Sequence, residues 1–509
     1  MRIIWFRRDL RLRDNEILAK ACEDNQEVLP IFIIDPWFYQ QPHVSKLRIK
    51  FLFESLRNLD SNLRKLGSKL YLFEGNSVSV IRQLVQSLKE KGHQPSLYLN
   101  RDVQVGYGSK RDGEIIDLFE HQGLDVCVGT NHFLQDTPDY RTWWHDYHGY
   151  QQQTLYPMPE RVNTQKKLKL DIPQLTFKAL WEKYCPERKS LSNKFPGGEN
   201  KAMAALDRFF DERYRGYHWR MSRPWLAQRG ATSQLSVHLT FGTISARYVY
   251  QRARELEQQQ KYHPRNQFAI QTFLDRLRWH DKFSQRHFFN PDMAWTNRYP
   301  EFDEYYDSKS LTGQKLKYFQ AWCEGKTGFP MIDASMRQLN TIGWMNFRMR
   351  AMCVTFLCIN CGVPWQFGAD YFMSKLIDGD IAINHWQWQA QAGVTNPMSK
   401  TFRIYNPTKN LKEKDPYLQF VRHWIPELKG YTIEQLLEED YPDSYPQPML
   451  NFLETRKTNG KIVSDLRAKV RERLEAEGGE AYLQAVGAAN TIQNYNRIKD
   501  REYRDKIRN

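Results

Sequence analysis

No run of apolar residues in this 509-residue chain approaches the roughly 20 needed to span a bilayer, so no transmembrane anchor is expected. The opening residues, MRIIWFRRDLRLRD, put a short apolar patch ahead of arginines. A secretory signal has the reverse order, charges first, then a longer apolar stretch and a small-residue cleavage site. A cytoplasmic protein is expected. Cysteine is scarce, and its seven scattered residues, an odd number, argue against a disulfide framework. Cys358 and Cys361 make a C-x-x-C pair, but no cysteine follows them and both lie in the apolar stretch AMCVTFLCINC. They read as buried helix residues rather than metal ligands. Acidic residues are also short, 59 against 74 Lys and Arg, leaving a net charge of +15. That excess suits a polyanionic partner held by phosphate neutralisation. Repeats and low-complexity tracts are absent, and no G-x-G-x-x-G follows the first apolar run, which excludes an ordinary dinucleotide fingerprint there.

What the chain does have is length for two or three domains and 15 tryptophans, residues able to stack on bases or on a planar cofactor. Over residues 1–130, short apolar runs alternate with helical patterns. Strands are expected at Ile3–Phe6, Val28–Ile34, Leu70–Phe73, Leu97–Asn100 and Asp125–Val128, with helices around 47–66, 77–91 and 112–122. Such alternation implies a parallel α/β sheet. Residues 131–200 hold scattered aromatics (Trp143, Trp144, Tyr147), then polar and basic residues, and end in the turn Phe195-Pro-Gly-Gly; they read as a long linker packing on the surface. From about 200 the spacing is helical, most clearly in Arg265–Phe283, Ala334–Asn360 and Trp365–Ile377. The tail after about 462 is charged, and Glu477-Gly478-Gly479 splits it into two helix-like stretches.

Three passages of the helical part carry a longer signal. The first is Thr232-Ser233-Gln234-Leu235-Ser236 with His238, Leu239, Phe241 and Gly242. The second is GKTGFPMIDASMRQLNTIGWMNFRMR, residues 325–350. The third runs from Tyr371 through Asp378-Gly379-Asp380, Asn384 and Trp386-Gln387-Trp388 to FRIYNP. With the opening WFRRDLRLRDN, these resemble the photolyase/cryptochrome family over nearly the whole chain, up to about residue 430. The resemblance implies an α/β antenna-type domain over 1–130, a linker over 131–200, an all-α FAD-binding catalytic domain over 201–480 and a charged tail over 481–509.

Hydroxyls clustered before a helix can cap it and bond a phosphate at its positive end. By the resemblance, Thr232–Ser236 hold the FAD pyrophosphate, supported by Tyr217, with Phe273 also at the cofactor. Gln234 stands where the family often has a basic residue, which weakens one phosphate contact. Asp378-Gly379-Asp380 sets two carboxylates around a residue that lets backbone approach a ligand. The resemblance pairs Arg350 with Asp378 beside the isoalloxazine and gives Asp380 a flavin N–H to accept. An Arg–carboxylate pair there favours an anionic reduced flavin. Asn384 takes the position facing flavin N5, where photolyases carry Asn and plant-type photoreceptors usually Asp.

Trp386 and Trp388, two apart on a helix, face opposite ways. The resemblance makes Trp386 the start of the electron chain that photoreduces flavin and Trp365 its next member, with Tyr318 and Trp322 as candidates for the third. Trp388 and Trp279 would stack on a flipped-out lesion. The substrate pocket departs from the pattern. Arg276 replaces an acid three residues before Trp279, His280 replaces an arginine after it, Phe347 replaces an asparagine although Asn346 is adjacent, and Ala351 replaces a methionine. The paired histidines of (6-4) enzymes are missing. The N-terminal domain would hold a second chromophore, a folate or a deazaflavin, but Gly106–Lys110 lacks the glutamate some members use, so no antenna residues are assigned. The expected activity is that of a deoxyribodipyrimidine photolyase, a carbon–carbon lyase acting on DNA with cyclobutane dimers, as a monomer. A cryptochrome-type photoreceptor without repair, and a flavoprotein acting on RNA or single-stranded DNA, are the competing readings.

Overall fold

The computed structural model describes residues 1–485 apart from 42–43, 102, 104–105, 137–142, 166–167, 400–401, 480 and 484, and for Trp144 and His145 only the backbone. The tail expected over 481–509 lies almost wholly outside the described residues. Five parallel strands form one sheet: β1 (Arg2–Trp5), β2 (Val28–Ile34), β3 (Tyr71–Glu74), β4 (Ser96–Arg101) and β5 (Val126–Thr130). Their order is β3-β2-β1-β4-β5, with Ile3 beside Leu29 on one side and Leu97 on the other. β1 and β2 are apolar almost without interruption because helices cover both faces of the sheet. Helices Lys46–Lys65 and Ser77–Glu90 begin at Ser45 and Asn76, whose side chains cap them.

The rest is helical, so the fold is an α/β parallel-sheet domain followed by an all-α one. Residues 131–200 do more than strap the surface. Trp143 and Tyr147 are fully buried in the core formed by Phe209, Tyr217, Leu235 and Phe273. The stretch read as one helix over Ala334–Asn360 is two, Pro330–Ile342 and Phe347–Thr355, because Gly343 turns left-handed (φ 68°) and ends the first. The long Pro264–Phe289 helix crosses the domain, and Phe452–Glu477 ends at Gly478, where the sequence pattern breaks. Cys353, Cys358 and Cys361 are buried thiols, and burial pushes their pKa up.

Residues 7–14 clasp the two halves together. Arg11 donates to Gly242 O (3.0 Å), Arg8 Nε to Thr240 O (2.7 Å), and Asp14 is bonded by Ser245 and Arg247. Gly242 (φ 62°) has no room for a side chain, since a Cβ would come within 1.8 Å of Arg8 O. The clasp sets N-terminal arginines against the loop around residue 379.

Candidate functional site

That loop, Asp378-Gly379-Asp380, is gripped by three arginines from separate parts of the chain. Arg350 Nη2 bridges both oxygens of Asp378 at 2.9 and 2.8 Å, while its Nε donates to Met345 O. Arg8 Nη2 reaches Asp380 at 2.8 Å, and Arg48 donates to Gly379 O. Asp380 is also the N-cap of helix Ile381–Gln391, accepting from Ile383 N. Burial works to raise the Asp380 pKa, yet the Arg8 and His280 charges and these hydrogen bonds hold it well below the usual carboxylate range. Burial and the like charge of Arg8 push the Arg48 pKa down to about 10. Arg8 and Arg48 were not among the residues singled out from sequence. Arg8 lies within the matched WFRRDLRLRDN, the one signal that pointed to it.

Asn384, in the first turn of the same helix, is buried and donates through Nδ2 to Ala369 O at 3.1 Å. The Thr232–Ser236 segment enters the short helix Ser236–Thr240. Ser233 Oγ accepts from Leu235 N (3.4 Å), and Thr232 Oγ1 donates to Ala227 O. Gln234 adopts a left-handed backbone (φ 56°) and turns its amide back to Ala227 O and Gln228 O, at 3.0 and 3.1 Å. It staples the loop instead of reaching for a phosphate, which explains why a basic residue is not needed to shape it. Tyr217 and Phe273 are buried against each other, ring centroids 5.9 Å apart, in the cluster that also takes Leu235. They support the segment from beneath.

The two tryptophans face opposite ways, but in the reverse sense to that expected. Trp388 is 1% exposed and packs on Phe372 (4.9 Å) and Trp322 (6.0 Å). A Cβ on Gly368 would come within 2.2 Å of its ring. It therefore cannot stack on an extruded base. Trp386 is the half-buried one, with the Arg286 guanidinium 4.4 Å from its ring. Trp365 is buried, bonds Asn297 through Nε1 (2.7 Å), and has His385 as a ring neighbour at 6.1 Å, with the exposed Trp295 beyond. Of the two candidates for a third chain member, Trp322 touches Trp388; Tyr318 is a half-buried residue against the core.

The expected substrate residues divide likewise. Arg276 is exposed and lies over the Phe347 ring at 5.3 Å; Phe347 is itself 45% exposed. Trp279 is half-buried, with Lys282 Nζ 5.2 Å from its ring. Burial and the charges of Arg286 and Arg278 push Lys282 down to about 7. His280 is buried, with Nδ1 2.9 Å from Asp281 and the His132 ring at 4.9 Å, and is close enough to Asp380 for its charge to act there. Burial would raise Asp281, but the imidazoles of His132, 3.6 Å away, and His280, hydrogen-bonded at 2.9 Å, hold it at about 2. Asn346 is buried too, anchored by Nδ2 to Met221 O at 3.0 Å. His280 is one turn on from Arg276, so helical register alone does not bury it; its contacts with His132 and Asp281 do, while Asn346 precedes a different helix, Phe347–Thr355.

A family model described as the FAD binding domain of DNA photolyase matches residues 273–465, and one described as DNA photolyase matches 2–183. A deoxyribodipyrimidine photo-lyase of Buchnera aphidicola is 30% identical over 495 residues, covering 92% of this chain and 98% of that one. The chain belongs to the photolyase/cryptochrome family. A Synechocystis cryptochrome DASH is 28% identical, covering 90% of this chain and 97% of its own. Among solved structures, a class III photolyase from Agrobacterium tumefaciens superposes with a TM-score of 0.78 at 26% identity, covering 92% and 98% of the two chains. An archaeal photolyase from Sulfolobus tokodaii, solved with two FAD molecules, gives 0.72 at 29% identity, covering 91% and 99%. FAD is thus the cofactor of this helical domain, and its residues fit it. The Arg350–Asp378 pair, the ionised Asp380 and the hydroxyls at 232, 233 and 236 are the donors and acceptors a flavin dinucleotide needs. Trp388 Nε1 is buried without a hydrogen-bond partner in the protein. No helix is long and apolar enough to cross a membrane among the described residues.

Proposed function

We propose that the protein is a light-driven DNA repair enzyme that splits cyclobutane pyrimidine dimers. One observation carries this reading: a stripe of cation–aromatic pairs, the exposed Arg276 and Phe347, the half-buried Arg286 and Trp386, and the half-buried Trp279 over the buried Lys282, runs along the helix that also borders the buried carboxylate–arginine site. Aromatics stack on unpaired bases and cations take phosphates, which is what an extruded dimer presents. Bound and reduced, FAD supplies light absorption and one electron, which returns after the two cyclobutane C–C bonds have opened, so nothing is oxidised or reduced overall. Arg350 and Asp378 would set the charge at the bound cofactor, Asp380 would offer it an acceptor, and Asn384 is held in place by its bond to Ala369 O.

Photoreduction of oxidised flavin starts, on this reading, at Trp388 and continues to Trp322; Trp365, His385 and Trp295 form a second aromatic line toward solvent. Trp386, with Trp279, faces the lesion. The rest follows as proposed: residues 1–130 as an antenna-type domain with a folate or deazaflavin, 201–480 as the catalytic domain, and one copy of the chain on DNA. The retreat of His280 and Asn346 into the interior favours the second reading, a cryptochrome-type photoreceptor. Affinity separates the two. Extruding a damaged pair costs less than extruding an intact one, so a repair enzyme binds a dimer-containing duplex more tightly than the undamaged sequence. Equal affinity for both would favour the photoreceptor.

A further inference from the structure

A cleft of about 350 Å3 opens in the helical domain between Arg213, Arg220, Trp225, Arg229, Gly230 and Gln419. No carboxylate lines it. Its three guanidinium groups have no ion pair among the described residues. Arg213 Nε and Arg220 Nη1 donate only to backbone, Arg208 O at 3.1 Å and Arg215 O at 3.2 Å. Arg229 lies over the Trp225 ring at 5.4 Å. Lys194 adds a further cation close enough to Arg213 to feel its charge. Uncompensated cations in a partly buried cleft repel one another, and an anion relieves that cost. The backbone is shaped for it as well: at Gly230 (φ 99°) a Cβ would sit 2.2 Å from Arg213 Nη1, so only glycine lets that guanidinium in.

The cleft adjoins the stripe described above. Arg220 ends the helix Tyr217–Arg220, and the next residue, Met221, accepts the Asn346 hydrogen bond beside Phe347 and Arg276. We propose that the cleft holds one undamaged nucleotide of the strand that carries the lesion, its phosphate among Arg213, Arg220 and Arg229 and its base against Trp225. Planar guanidinium groups match phosphate oxygens in pairs, and an indole stacks on any base without reading sequence. The proposal rests on DNA being the substrate.

The test uses the FAD-loaded protein, a single-stranded oligonucleotide with a central dimer and flanks, and a bare dinucleotide dimer with none. Trp225→Ala is expected to weaken binding of the flanked strand at least about fivefold. Arg213→Gln with Arg229→Gln should lower the slope of log affinity against log salt by about 0.7 for each phosphate no longer neutralised. Binding of the bare dimer and the flavin spectrum should stay as in the parent, which shows that both variants are folded. Flanked-strand affinity and salt slope unchanged in the arginine variant would overturn the cleft assignment while leaving the DNA reading intact. So would a free mononucleotide, probed as AMP, that fills the cleft without competing with the strand. A parent protein that binds no DNA of any length would overturn both.

Discussion

Trp388→Phe and Trp386→Phe should have opposite consequences, and the pair decides how electrons reach the flavin. Trp388 is enclosed by Phe372, Trp322 and the bare backbone of Gly368, and its Nε1 has no hydrogen-bond partner. Replacing it with Phe therefore sacrifices packing but no hydrogen bond. Truncation of such a residue to Ala costs about 3–5 kcal/mol, and the retained ring of Phe should limit the loss to roughly 1–2 kcal/mol. Trp386 forfeits only its interaction with Arg286, worth about 0.5–1 kcal/mol at a partly exposed site. The assay is flavin absorbance under blue light with an external reductant, starting from oxidised FAD. Trp388→Phe should reduce its flavin far more slowly than the parent, and Trp386→Phe at close to the parental rate. With chemically reduced enzyme the order inverts: Trp386→Phe weakens lesion binding, and Trp388→Phe leaves it. Normal photoreduction in Trp388→Phe together with a block in Trp386→Phe would refute the assignment.

Gly368→Ala would drive a methyl group into the Trp388 ring, so overpacking should destabilise the protein by about 1–3 kcal/mol in urea unfolding and slow photoreduction without touching the substrate face; unaltered values for both would show that the ring can yield. Burial lowers the His238 pKa to about 3 from 6.5, so the folded state refuses a proton that the unfolded chain accepts. That contribution is complete above pH 6.5 and is lost as pH falls toward 3, at about 1.4 kcal/mol per unit. His238→Gln should flatten the decline, and an unchanged slope between pH 6 and 4 would contradict it. Arg276→Glu should weaken DNA binding by about 1–3 kcal/mol and reduce its salt dependence, by loss of an exposed cation beside Phe347. Tighter binding and better repair by the glutamate variant would mean that Arg276 is a defect of the pocket.

Much of the molecule is legible in the sequence. All five strands fall within two residues of their expected positions because buried parallel strands are short apolar runs bounded by polar turns, as at Val28–Ile34. The Arg350–Asp378 pair followed from motif resemblance, and the structure brings those side chains to 2.8 Å. The two-residue spacing puts Trp386 and Trp388 on opposite sides of their helix without saying which of them faces inward. A helix fixes the angle between two residues, whereas which one points inward depends on Phe372 and Trp322, contributed by other helices. The place of His280 after Trp279 suggests a substrate residue, yet its neighbours His132 and Asp281 draw it inside. Arg8 and Arg48 reach the 378–380 loop from more than 300 residues away, a convergence that no local pattern encodes.

Repair of a defined lesion is the central claim. The purified protein, with FAD bound and chemically reduced, should be illuminated with blue light in the presence of oligonucleotides carrying one defined cyclobutane dimer, single-stranded and in duplex. Chromatographic analysis follows the dimer, and a (6-4) photoproduct serves as a parallel substrate. The expected result is light-dependent restoration of the intact pyrimidines from the cyclobutane dimer and none from the (6-4) product. Failure to restore the dimer in either strand context, with reduced flavin demonstrably bound, would contradict the claim and leave a light sensor in the fold of a repair enzyme.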